Sequence, residues 1–299
     1  MNMPTDAFLT ALYTHVDDWY QAHAPALLAG KVGEHPEFSD SEVLTLCLAQ
    51  HWLGFRSERK FLRYVRQNYL ALFPRLLDQS EFNRRARNLF RLLNEFRRWL
   101  VRQAGAGTAP GYLLDGTPVH VRHWRRHHAR ALAFRGAALG HCAAKKETFY
   151  GYKLVLLMTL DGRVLDFVLL PANADERVAL DELLGQYRNL VIYADKGFLD
   201  QEREATLRAR YGHQLWTPKR RNQKVQHSQV LAQLICSVRQ RVETAIAQAK
   251  EWFGLEKTGA KTLWGLMSRL TAKLTGLALA AWINCQRQRS PLALADFAF

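Results

Sequence analysis

The stretch "FYGYKLVLLMTLDGRVLDFVLLP" (149–171) decides the fold class. It holds two apolar runs rich in β-branched and aromatic residues, joined by "LDGR". Asp-Gly between such runs predicts a β-hairpin. Downstream, "ADERVALDELLGQY" (174–187) reads as a helix and "NLVIYADKGF" (189–198) as a compact strand ending in Asp195. "DQEREATLRARY" (200–211) reads as a second helix and "HQLWTP" (213–218) as a short strand. Two long helices follow, "SQVLAQLICSVRQRVETAIAQAKEWFG" (228–254) and "TLWGLMSRLTAKLTGLALAAWINCQ" (262–286). Upstream, "YLLD" (112–115) is a short strand pattern ending in Asp115. The order strand, hairpin, helix, strand, helix, strand, long helix predicts an α/β fold with a mixed sheet.

The first hundred residues read differently, as helices. "FSDSEVLTLCLAQHWLG" (38–54) opens with Ser39 and has Glu42 three residues later, a capping-box pattern. "GF" interrupts, and "SERKFLRYVRQNYLALF" (57–73) starts another helix, a candidate helix-turn-helix for which an ordinary helical hairpin is the alternative. "SEFNRRARNLFRLLNEFRRWLVRQ" (80–103) reads as one helix carrying Arg84, Arg85, Arg87, Arg91, Arg97, Arg98 and Arg102. "AGAGTAPG" (104–111) is a small-residue boundary. The expected division is a helical DNA-binding region over 1–103, a catalytic domain over 111–260 and a C-terminal helix over 261–299 packed on it.

The chain has 299 residues, 42 Lys plus Arg against 27 Asp plus Glu, and a net charge of +15. A folded chain this basic points to a polyanion, and nucleic acid is the first partner to consider. No amphipathic segment has the purely basic polar face of a membrane-surface helix. The apolar run "LTGLALAAWINC" (274–285) is too short to span a bilayer. The N-terminus "MNMPTDAFLT" lacks a basic region followed by an apolar run, and the four cysteines show no Cys-x-x-Cys spacing. Buried free thiols in a reducing cytoplasm are the expectation.

Asp115 and Asp195 each close a strand pattern, and in α/β sheets chemistry gathers beyond the carboxyl ends of strands. Taken alone, each also fits a plain turn. Asp175, Glu176 and Asp200 are rival acids with the look of helix-start residues. In "RVETAIAQAK" (241–250), about 100° per residue places Arg239, Glu243 and Lys250 on one face bordering the apolar stripe. Taken alone, an Arg239–Glu243 ion pair along the helix is the better account of that spacing. Together, three carboxylates on two strands and one helix can hold two Mg²⁺ ions, which prefer hard oxygen ligands and leave room for phosphate.

The chain resembles a DDE transposase of a bacterial insertion sequence. The resemblance runs from near Phe38 to near Cys285 and is carried by "LLDGTPV", "YGYKLVLLMTLDGRV", "PANADER", "ADKGF" and "RQRVETAIAQAKEWFGLE". The last is similar to the family pattern Tyr-x2-Arg-x3-Glu-x6-Lys, met here by Arg239, Glu243 and Lys250, with Cys236 in place of tyrosine. Gly116 follows the first aspartate where a small hydroxyl residue is common. "SDSEVLTLCLAQ" with "QSEFNRR" most resembles the insertion-sequence 982 family. The resemblance implies a ribonuclease-H-like core with Asp115, Asp195 and Glu243 as catalytic, metal-binding triad. It implies two Mg²⁺ ions, with Mn²⁺ able to substitute. It also implies cleavage at the terminal inverted repeats of double-stranded DNA, then transfer of the 3′-hydroxyl strand to target DNA. A homodimer on paired ends follows as an expectation. A nuclease without strand transfer and an inactive DNA-binding repressor are the alternatives.

The basic stretch "HVRHWRRHHARALAFRG" (120–136) interleaves arginine with aromatic rings and suits a DNA backbone. Arg122, Arg125 and Arg126 are its expected contacts. Lys145 and Lys146 ahead of the hairpin, Lys219, Arg220 and Arg221 of "TPKRRNQK" (217–224), and Arg239 and Lys250 complete the DNA-contact set. A zinc site can be drawn from His120, His123, His127 and Cys142, but the absence of paired cysteines argues against it. Trp252 and Phe253 are expected in the core.

Overall fold

The structure is a computed structural model that describes residues 3–28, 36–123, 125, 131–142, 146–219, 227–256 and 258–297, with backbone alone at 131–132, 231, 239–243, 245 and 296–297. Five helices come first: α1 (Thr5–Leu27), α2 (Asp40–Trp52), α3 (Glu58–Asn68), α4 (Gln79–Asn88) and α5 (Phe90–Gln103). The capping box at α2 forms as expected: Ser39 Oγ accepts from the Glu42 N–H at 3.1 Å, and the Ser39 N–H donates to Glu42 Oε2 at 2.6 Å. Ser41 and every residue from Val43 to His51 are buried, so α2 is the centre of the helical layer.

The arginine-rich segment expected as one helix is two, broken at Leu89. A helix end leaves carbonyls without intrahelical donors. The C-terminal helix α9 (Leu263–Gln286) supplies them: Trp264 Nε1 donates to Arg87 O at 2.7 Å and Ser268 Oγ to Ala86 O at 3.2 Å. Helix α9 packs on α5, α2 and α4 as well as on α8 (Gln229–Phe253), so it joins the N-terminal helices to the rest.

The expected hairpin is present. Strands β3 (Glu147–Thr159) and β4 (Val164–Pro171) pair antiparallel, and the turn closes with Thr159 N–H donating to Arg163 O at 2.9 Å. Gly162 has φ 91°, a conformation only glycine adopts freely. Strand β3 is the spine of the sheet. β1 (Tyr112–Arg122) runs antiparallel along one edge, while β2 (Ala138–Cys142) and β4 share the other. Beyond β1 come β5 (Val191–Ala194) and β6 (Gln214–Trp216), each parallel to its neighbour. The sheet is thus mixed, and the α/β class read from sequence holds.

Alternation along the strands divides the apolar residues between two cores. Tyr112, Leu114, Val155, Leu157, Ile192 and Ala194 join the core with the N-terminal helices and α6 (Val178–Leu184). Leu113, Val119, Leu154, Leu156 and Met158 pack instead with α8 and α9. The 104–111 stretch is a packed turn, with Ala106 buried and Tyr112 Oη donating to its carbonyl at 2.9 Å.

Two buried cations among the described residues lock elements together. Arg97 of α5, with no exposed surface, donates to Val164 O, Leu165 O and Asp166 Oδ1 of β4, each at 3.0 Å. Asp166 also accepts from Arg98 at 3.0 Å, Gln186 at 2.7 Å and Tyr187 Oη at 3.1 Å. Lys273 of α9 donates to Phe253 O at 2.7 Å and Gly254 O at 2.6 Å, at the end of α8.

The thiols depart from expectation. Cys47 is buried and Cys142 and Cys285 are half-buried, but Cys236 is exposed, because along this part of α8 the sheet covers only the Ile235 and Val238 side. Phe253 is core as expected, whereas Trp252 lies on the solvent side of the same helix, 38 % exposed.

Candidate active site

Strands β1 and β5 pair in parallel at Tyr112–Ile192, Leu113–Tyr193 and Leu114–Ala194. The next position on each strand is Asp115 and Asp195. The two carboxylates therefore stand side by side at the fork where the strands part. β1 does not end at Asp115, as its sequence pattern suggested. It continues to Arg122, because β3 is long enough to ladder it throughout. Pro118, which lacks an N–H, is accommodated where β1 has a strand on one side only. Asp195 does leave its strand. It accepts from the Lys196 N–H at 2.6 Å and caps a single 3-10 turn, Lys196–Phe198, pinned by the buried Phe198 ring. Asp115 accepts from the Gly116 N–H at 2.8 Å. Both side chains are half-buried, so they can reach solvent.

By alternation, Asp115 lies on the face of Leu113 and Val119, which α8 covers. Helix α8 packs over both β1 and β5. Its buried side chains include Val238, Ile246, Ala249 and Phe253, and position 243 falls about a quarter-turn from the centre of that stripe. The helix expected to supply the third acid thus crosses the two strands that carry the first two. The side chains of Glu243 and Arg239 lie outside the described residues. Lys250 pairs with Glu256 at 2.9 Å and lines a cavity of about 610 Å³ with His51, Arg56 and Lys273. Burial and the nearby cations Lys273 and Arg269 hold the His51 imidazole well below its usual pKa.

The rival acids are engaged elsewhere. Asp175 takes hydrogen bonds from Arg177, which lower its pKa to about 2. Asp200 caps α7 (Gln201–Tyr211) through the Arg203 N–H at 3.2 Å and pairs with Arg177 at 3.4 Å. Glu176 is not a helix-start residue. It sits in the loop before α6, its Oε1 held by Lys153 Nζ at 3.3 Å, and it approaches Gly116 and Gly197, the glycines that follow the two aspartates.

The C-terminal ends of β1, β5 and β6 and the start of β3 lie at one end of the sheet. Arg122 and Lys146 lie toward that end, but Asp115 faces Leu156 near the other end of β3, seven residues along β1 from Arg122, roughly 23 Å. Lys219, three residues past Trp216, lies near the level of the aspartates. Arg122 is partly committed, its guanidinium 5.6 Å over the Phe134 ring. Arg125 and Lys146 are exposed and Lys219 is half-buried. Arg126, Lys145, Arg220, Arg221 and His127 lie outside the described residues. Among the described residues, no three His, Cys, Asp or Glu side chains are grouped to hold a metal ion. The two adjacent carboxylates are hard oxygen donors of the kind Mg²⁺ takes.

The site is thus a mixed sheet with paired acids where its parallel strands part, covered by a long helix. The family model described as transposase DDE domain matches residues 107–263, more than half of the 299-residue chain, and the chain belongs to that family. The protein is a transposase, an enzyme of the polynucleotidyl-transferase type whose family implies DNA substrates. No curated protein and no solved structure was found to match it. Among the described residues, no helix is long and apolar enough to cross a membrane.

Proposed function

We propose that the protein cleaves the ends of an insertion sequence and transfers the freed 3′-hydroxyl strand to target DNA, with Asp115, Asp195 and Glu243 as its acids. The observation that carries this reading is the register of β1 and β5, which puts Asp115 beside Asp195 under the helix that bears Glu243. All three positions fall inside the matched family region. The strand order supports a ribonuclease-H-like core: the antiparallel set β4, β3 and β1 is followed by parallel β5 and β6. Asp115, Asp195 and Glu243 would hold two Mg²⁺ ions, which when bound stabilise the attacking and leaving oxygens of an in-line displacement at phosphorus. Lys219, near the level of the aspartates, and Arg122, Arg125 and Lys146, farther along β1 and β3, hold the DNA backbone, positioning it without reading sequence. Helices α2 to α4 contribute DNA binding from the N-terminal region, and a homodimer joins the two ends. The likeness of "SDSEVLTLCLAQ" (39–50) with "QSEFNRR" (79–85) supports an element of the insertion-sequence 982 group.

The test is Mg²⁺-dependent cleavage and strand joining on DNA carrying the flanking terminal repeats. Asp115→Asn, Asp195→Asn and Glu243→Gln each keep shape and weaken ligation, so each abolishes both reactions while DNA binding survives. A variant that cleaves at the wild-type rate removes its residue from the triad. Cleavage without joining in the wild type would make the protein a nuclease.

A further inference from the structure

The loop between β4 and α6 reaches across the sheet to the fork between β1 and β5. Its path is fixed by close contacts. The Ala172 N–H donates to Gly151 O at 3.1 Å, and Lys153 Nζ, on β3, donates to Ala174 O at 3.1 Å. Arg177, bonded to Asp175 and Asp200, ties the far side of the loop to the start of α7. Between these anchors stands Glu176. A Cβ on Gly116 would lie 3.7 Å from Glu176 Oε1, and one on Gly197 would lie 2.9 Å from Oε2. The carboxylate therefore spans from the residue after Asp115 to the second residue after Asp195. Position 116 shares the face of Leu114, so Glu176 enters from the side of the sheet opposite α8.

We propose that Glu176, held by Lys153, is a positioning residue that wedges open the fork between β1 and β5 and thereby sets the spacing of Asp115 and Asp195. This rests on the reading of those two aspartates as metal ligands. Backbone pairing between the strands cannot set the spacing, because their ladder ends one residue earlier, at Leu114 and Ala194. From there Asp115 is held by β3 and Asp195 by its own turn, two separate supports. Glu176 bridges them. The ion pair with Lys153 also keeps the wedge electrically neutral, so it does not compete with the aspartates for a cation. A Cβ at position 197 would displace the Glu176 carboxylate oxygen.

The experiment measures Mn²⁺ affinity of the full-length protein by electron paramagnetic resonance of the free ion, with melting temperature recorded beside it. Glu176→Ala and Gly197→Ala should each weaken Mn²⁺ binding about tenfold, the scale of a lost outer-sphere support, while Glu176→Gln, which keeps the wedge, stays within about threefold of wild type. The double variant Glu176→Ala/Gly197→Ala should bind no more weakly than Glu176→Ala, because the carboxylate that a methyl group at position 197 would displace is gone. A purely structural role would lower the melting temperature and leave Mn²⁺ affinity unchanged, which overturns the proposal, as does additivity in the double variant. If Glu176→Ala does not fold, equal affinities for Glu176→Gln and Gly197→Ala overturn it. Asp195→Asn separates the two readings: unchanged Mn²⁺ affinity there overturns the metal site itself, whereas a loss there with wild-type affinity in Glu176→Ala removes only the wedge.

Discussion

Arg97 and Lys273 are both buried cations that fasten one element to another, and they differ in what they hold. Arg97 faces a carboxylate as well as two carbonyls, and Asp166 is further bonded by Arg98, Gln186 and Tyr187. Lys273 bonds to two carbonyls. The charges that bear on it are the cations Arg269 and Arg56, and together with burial, the larger cause, they push its pKa down to about 8. The joint between the helical layer and β4 is thus neutralised and closed. The joint that holds the end of α8, the helix proposed to carry the third acid, bears a proton that the surroundings do not favour. Permanent attachment belongs to the scaffold, and a titratable one belongs to the helix over the site.

The largest effect expected is at the closed joint. Arg97→Met leaves Asp166 buried with one cation fewer, and a broken buried pair costs about 3 kcal/mol even with Arg98 in place. Urea denaturation measures it, and a loss under about 1 kcal/mol would mean that Arg98 alone neutralises Asp166. Lys273→Met should cost less, about 1–2 kcal/mol, because what it leaves behind is two carbonyls at a helix end and not a buried carboxylate. A loss equal to that of Arg97→Met would erase the distinction drawn between the two joints.

The pH dependence is the most discriminating. The folded pKa of Lys273 is about 8 against 10.5 for a free lysine, so between those pH values the unfolded chain binds more protons. Wild-type stability therefore gains on Lys273→Met as pH rises through that window, and the added cost of burying the charge is fully present below it. The difference between wild type and Arg97→Met should stay flat over the same range, since a guanidinium does not deprotonate there. Parallel denaturation series near both ends of the window decide the matter. A flat Lys273→Met difference would mean that the amine reaches solvent through the neighbouring cavity.

Much of this was legible in the sequence, where the signal was local. The hairpin at 160–163, the capping box at Ser39 and the two aspartates at strand positions follow from adjacent residues. What was hidden depended on partners far along the chain. Arg97 looks like its neighbours in the arginine run, and only its place among Leu93, Phe96, Leu100 and Val101 marks it as inward-facing. The break at Leu89 needs donors from α9, nearly two hundred residues later. β1 runs past Asp115 because β3 is there to pair with it, which "GTPV" does not announce. Glu176 was set aside as a helix-start acid, and the clue to its place was the pair of glycines after the two aspartates.

The parallel pairing of β1 with β5 also governs the order of assembly. The β3–β4 hairpin closes across the four residues 160–163, whereas Leu114 and Ala194 meet across 194 − 114 = 80 residues. Closing the longer loop costs roughly 3 kcal/mol more in chain entropy, so the hairpin forms early and the fork late. A growing chain displays its spine strand well before it can bring Asp195 to Asp115, and α8 emerges later still. Incomplete chains released during synthesis therefore carry the N-terminal helices without Asp195 beside Asp115.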